Sequence, residues 1–259
     1  LALADITRHP VREYLRSLIW DGEKRCETLF IDYLGAEDSR YTRTVTRKAL
    51  IGAAARILSP GCKHDHMLVL IGPQGCRKST TLKKLGKEWF SDSLYTMSGK
   101  DAYEQLQGFW IIELSEMAAT RKAEVEQIKQ FVSKQEDNYR AAYARRTQCH
   151  PRQCAFFGTT NDEEFLRDPT GARRFWPVVV TDAGKTLGDK LTASIVDQIW
   201  AEAVTYYEAG ETWYLDGAVE EMARKVQADH TEANGKLGLI ENFLEVLLPE
   251  GWDDWDLEK

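Results

Sequence analysis

Long apolar runs are scarce in this chain. Stretches such as Met67 to Gly72 and Phe109 to Leu114 fall far short of the roughly 20 residues a membrane-spanning helix requires, so transporter and anchored readings drop out and a soluble protein is expected. Cysteine is sparse, odd in number and scattered (Cys26, Cys62, Cys76, Cys149, Cys154), which argues against a disulfide scaffold and for a reducing, cytoplasmic setting. Neither Cys149, His150 and Cys154 nor Cys62, His64 and His66 is joined by a second ligand pair at zinc spacing, so ordinary packing is the better account of both groups. The start shows neither an initiator Met nor the charged-apolar-small order of a secretion signal, which reads as a piece excised from a longer chain. Internal repeats and low-complexity segments are also missing.

What is present is enough for a large core: 259 residues, 43% hydrophobic, suffice for one large domain or two modest ones. The net charge of -7 looks hostile to nucleic acid. Residues 241–259, however, hold seven acids against Lys259 alone and so supply six of those seven charges. The body is nearly neutral, and a local basic patch on it can still hold a phosphate chain.

Apolar periodicity predicts helices over 11–20, 26–34 and 41–58, then a buried strand over 67–71, a glycine-containing loop and a helix over 78–89. Further strands are expected over 109–114, 155–158 and 175–180, with helices over 124–134, 195–208 and 218–228. Strands alternating with helices imply an α/β fold with a mainly parallel sheet covered on both faces. The expected plan is a helical lead-in over 1–66, a P-loop core over 67–182, a helical part over 183–240 and an acidic tail over 241–259. Trp20, Trp89, Trp110, Trp176, Trp200 and Trp213 lie in or beside apolar runs and read as core anchors.

The strongest chemical signal is Gly72-Pro73-Gln74-Gly75-Cys76-Arg77-Lys78-Ser79-Thr80 between a strand and a helix. A triphosphate needs backbone N–H donors at a helix N-terminus, a lysine for the β and γ phosphates and a hydroxyl for Mg²⁺. Gly72, Gly75, Lys78 and Ser79 fill those roles, which makes ATP and Mg²⁺ the expected cofactors. Arg77 stands where the usual loop has its last glycine, and a left-handed backbone there would cost about 1–2 kcal/mol. It is also a further cation beside the phosphates.

The apolar run 109–114 delivers Glu113 to a strand end and Glu116 just beyond it. One carboxylate is needed to hold the metal and another group to orient water, and Glu113 and Glu116 are candidates in that order; the bland alternatives are a solvated strand end and a helix cap. Residues 155–161 likewise turn from apolar to polar at Thr159-Thr160-Asn161, placing Asn161 to reach a γ-phosphate or the attacking water. Arg173 and Arg174 follow, as a guanidinium for a neighbouring subunit's phosphate or as surface arginines paired with acids such as Asp168.

Between these motifs, Lys129, Lys134, Arg140, Tyr143, Arg145, Arg146 and Arg152 form a basic, aromatic segment, with four arginines and no acid from 140 to 152. Charge for a backbone and rings for stacked bases suit single-stranded nucleic acid, whereas pairing with neighbouring acids is the alternative.

The ordered set resembles the virulence-associated protein E-like ATPases of phages and mobile islands, related to superfamily 3 helicases. It comprises Tyr14 to Gly22, the loop GPQGCRKST, Trp110 to Glu116, Gly158-Thr159-Thr160-Asn161, Arg173-Arg174-Phe175-Trp176-Pro177 and Ile199 to Ala203, and the 90 residues from Gly72 to Asn161 hold all three nucleotide motifs. The resemblance implies an AAA+-like core, Glu113 as the second nucleotide motif, Asn161 as the sensor asparagine and Arg173 or Arg174 as an arginine finger. It further implies that the basic segment lines a central channel. The partners it implies are single-stranded or forked DNA, copies of the same chain in a ring such as a hexamer, and a primase domain or protein, in a bacterial host's cytoplasm.

Two other functions fit parts of the sequence: a nucleotide-gated assembly module with weak hydrolysis, favoured by Arg77, and a P-loop kinase for a small molecule, disfavoured by the basic segment.

Overall fold

A computed structural model describes residues 9–115, 122–140, 146–163, 165–166 and 172–231. Glu116, Tyr143 and Arg145 lie outside the described residues. The opening helices are α1 (Pro10–Ser17), α2 (Leu29–Leu34) and α3 (Arg40–Leu58). Local chemistry sets their ends: Pro10 opens α1, Gly35 takes the left-handed conformation that stops α2, and the Ser39 hydroxyl accepts from the Thr42 N–H to cap α3.

Five strands follow, β1 (Met67–Ile71), β2 (Phe90–Ser91), β3 (Ile111–Leu114), then, beyond an intervening hairpin, β6 (Ala155–Thr160) and β7 (Phe175–Val179). They form one parallel sheet in the order β2-β3-β6-β1-β7. The hairpin is β4 (Glu136–Tyr139) paired antiparallel with β5 (Gln148–Pro151), inserted between two sheet neighbours, β3 and β6. The other α-helices of the described residues are α4 (Lys78–Gly86), α5 (Gly99–Glu104), α6 (Lys122–Val132), α7 (Gly184–Leu187), α8 (Ala193–Glu208) and α9 (Gly217–Asp229). The expected α/β class with a parallel sheet is therefore what the chain adopts. The predicted helix over 78–89 stops at Gly86 and continues as a short 3-10 turn, because Lys87 leaves the helical region at φ 52°.

Strand β1 shows why the sheet is covered twice. Its side chains alternate: Leu68 and Leu70 enter a core shared with α1, α2, α3, α4 and α8, while Met67, Val69 and Ile71 enter a second core with α5 and α6. All five residues are buried, which is why no polar alternation was visible in their sequence. On the first face Trp110 and Trp200 meet with ring centroids 4.2 Å apart, and their indole N–H groups donate to Ala53 O (2.9 Å) and Leu85 O (3.0 Å). Of the six expected tryptophan anchors, Trp110, Trp176 and Trp200 are fully buried; Trp20, Trp89 and Trp213 are partly buried. Among the described residues no helix is long and apolar enough to cross a membrane.

Candidate functional site

Parallel pairing brings the carboxyl ends of three central strands to one edge. Ile71 of β1 lies beside Thr160 of β6, and Leu114 of β3 beside Gly158. Whatever follows each strand meets at this edge, where open α/β sheets bind ligands. From β1 comes the loop 72–77, from β3 Glu113 and Ser115, and from β6 Thr159, Thr160 and Asn161.

The loop is folded by two glycines. Gly75 has φ +83°, and a Cβ on Gly72 would stand 2.4 Å from Val180 O, so neither position accepts a side chain without strain. The turn leads directly into the first residues of α4. It encloses, with Thr159, Thr160 and Asn161, a cleft of about 300 Å³ lined by Gln74, Gly75, Arg77, Lys78, Ser79 and Thr80. Gly72 and Pro73 shape the loop behind it, and Cys76 is fully buried beneath.

Lys78 is 8% exposed, yet its ammonium is satisfied, donating to Gly72 O (2.6 Å), Pro73 O (2.9 Å) and Asn161 Oδ1 (2.9 Å). The lysine of the loop and the asparagine at the end of β6 therefore touch directly. Arg77 does adopt the left-handed backbone, φ 70° and ψ 24°, as the N-cap of α4.

Glu113 is buried to 2% exposure, which corrects the solvated-strand-end alternative. Its Oε1 accepts from both the Ser79 hydroxyl (2.6 Å) and the Thr159 hydroxyl (2.6 Å). Its Oε2 is enclosed with no hydrogen-bond partner among the described residues. A buried carboxylate oxygen left unpaired is costly, and an array of hard oxygens from Ser79, Glu113 and Thr159 with one oxygen unclaimed is the donor chemistry a Mg²⁺ ion prefers. The residues fit that ion. Thr159 was not singled out from the sequence, although it sits in the quoted Gly-Thr-Thr-Asn run; nothing in the run distinguished it from Thr160.

The paired arginines part company. Arg174 Nε donates to Ser133 Oγ (2.9 Å) at the foot of the hairpin, whereas Arg173 is exposed. The basic segment also splits. Arg140 and Arg146 are exposed and flank the hairpin tip. Arg152, by contrast, is 2% exposed and locked to both Asp137 oxygens, Nε to Oδ2 at 3.0 Å, with a further bond to Phe131 O and its guanidinium over the Phe131 ring at 4.7 Å. Lys129 is 3% exposed with Glu126 beside its ammonium. Lys134 bonds the Tyr103 hydroxyl and lies 4.6 Å over its ring. Arg152 and Lys129 are thus removed from the expected nucleic-acid surface, because each is desolvated, Arg152 at the hairpin's base and Lys129 on α6.

A family described as the Virulence-associated protein E-like domain matches residues 15–232. No curated protein gives a significant match. Among solved structures, the apo C-terminal region of NrS-1 (residues 305–718) is 16% identical over 90% of this chain and 55% of that one, with a TM-score of 0.47. An A-form apo structure of the same region is 14% identical over 93% of this chain and 63% of that one, with a TM-score of 0.49. The chain thus spans less than two thirds of the structures it matches. A family match that runs from the first helix through the loop, the buried carboxylate and the asparagine to the last described residues covers every element of the site, and the chain belongs to the virulence-associated protein E-like domain family.

Proposed function

We propose that this protein is a Mg²⁺-dependent ATPase that drives movement on single-stranded or forked DNA during replication of a phage or mobile element, working as a ring of identical subunits. The observation that carries this reading is the contact of Lys78 with Asn161 at one cleft, with the buried Glu113 bonded to Ser79 and Thr159 of its lining. The loop N–H groups and Lys78 bind the phosphates; Mg²⁺ supplies charge neutralisation there when bound. Asn161, already on Lys78, is placed to report a γ-phosphate by exchanging one partner for the other. Arg173 is exposed and suits a finger for the neighbouring site, while Arg174 positions it by tying the same turn to Ser133. The family's relation to superfamily 3 helicases supports the DNA substrate, and Arg140 and Arg146 at the hairpin tip supply cations for a backbone.

The testing experiment is ATP turnover with and without a single-stranded oligonucleotide. Turnover is expected to rise with DNA, and Arg140→Ala with Arg146→Ala should remove that rise, leave basal turnover intact and flatten the salt dependence of binding by about one unit of slope per lost contact. Turnover indifferent to DNA would favour a nucleotide-gated assembly module, the second reading, which the strained Arg77 in the loop supports.

Glu113→Gln is expected to keep ATP affinity within a few-fold and to cut hydrolysis by about 100-fold or more, because the amide fills the same space but carries no charge toward a metal. Single-turnover hydrolysis beside equilibrium binding checks it; full activity would move the metal role to another residue.

A further inference from the structure

Arg77 is held against its backbone preference at the mouth of the cleft, and a residue kept in strain at such a place calls for a compensating role. Glycine would relieve the strain at φ 70°, and glycine is what such loops ordinarily have. The side chain is also placed. Its guanidinium makes a two-pronged pair with Asp189, Nη2 to Oδ2 at 2.8 Å and Nη1 to Oδ1 at 2.5 Å, while its stem lies along Gly188. Asp189 itself is fixed from the same helix that Arg77 caps. Lys84 of α4 donates to Gly188 O (2.8 Å) and Leu191 O (2.9 Å), pinning the short turn that presents the carboxylate.

We propose that Arg77 is an additional phosphate ligand, which Asp189 holds beside the cleft until a triphosphate replaces the carboxylate. The inference rests on the nucleotide reading above. Asp189 is 62% exposed, and an ion pair so open to water is weak. A triphosphate offers the same forked oxygen geometry with greater charge, inside a cleft whose loop N–H groups and Lys78 already concentrate positive potential. Arg77 itself lines the cleft, whereas Asp189 lies outside its lining, so the exchange turns the guanidinium from a carboxylate beside the cleft toward a ligand within it.

Calorimetric titration with ATP·Mg²⁺ and with inorganic tripolyphosphate tests this, because the two opposed views of Arg77 differ in sign. If Arg77 is a phosphate ligand, Arg77→Gly weakens both probes by about tenfold, even as the relieved backbone raises the nucleotide-free Tm, and Arg77→Lys falls between. Asp189→Asn then binds both probes at least as tightly as the unmodified chain. Tighter or equal binding by Arg77→Gly would overturn the proposal, as would an Asp189→Asn protein weakened as much as Arg77→Gly, which would make the pair a prop for the loop. An unmodified chain that binds neither probe would overturn the nucleotide reading itself.

Discussion

Lys78→Ala is expected to lose ATP binding and turnover by at least about 100-fold while keeping its fold, with Tm within a few degrees of the unmodified chain. The two halves of this expectation come from one geometry. The ammonium donates to two loop carbonyls and to Asn161 at the edge of an open cleft, so water can take those three bonds when the side chain is cut back. Water cannot replace a fixed positive charge directed at phosphates. Turnover by malachite-green assay and ATP binding by calorimetry measure the loss, and circular dichroism measures the fold. Retained turnover would sink the nucleotide assignment; a collapsed Tm would mean that the lysine is a structural brace.

Asp137→Ala should produce the largest loss of stability of any single change at the hairpin, about 3–5 kcal/mol, because among the described residues it leaves the Arg152 guanidinium, at 2% exposure, with only the Phe131 carbonyl as a hydrogen-bond acceptor. Urea unfolding followed by fluorescence reads this as a lower midpoint. The companion double change Asp137→Leu with Arg152→Met is expected to recover most of the loss, since an apolar pair of similar volume carries no desolvation penalty. A single variant as stable as the unmodified chain would imply that Arg152 has another acceptor or reaches water.

The contrast between these two residues shows what the sequence could tell. The Lys78 site was legible because a strand, a glycine-bearing loop and Lys-Ser-Thr are contiguous, and local chemistry there dictates the structure. Glu113 and Asn161 were legible for a related reason: each stands where an apolar run turns polar, and a parallel sheet sends all such strand ends to one edge. Arg152 looked like one more cation in a basic run. Its partner Asp137 lies 15 residues earlier and faces it only through the hairpin register, in which Asp137 opposes His150. Burial of a charged side chain is a long-range outcome that neither composition nor spacing encodes. Lys129 was misplaced on the same grounds, and the two-residue strand β2 and the short helix α5 have too few residues to show a period.

Strand β6 also has a mechanical character. The hairpin feeds into its first residue, Ala155, and Asn161 follows its last, while β1 and β3 grip it from either side. A tug on the hairpin is therefore applied along the strand, so its flanking ladders are loaded in shear, all rungs together, rather than peeled rung by rung as at an edge. A six-residue strand is about 20 Å long and nearly inextensible. It is a stiff rod clamped on both sides, so Asn161 and the ammonium it touches are held at a fixed distance from the hairpin's foot.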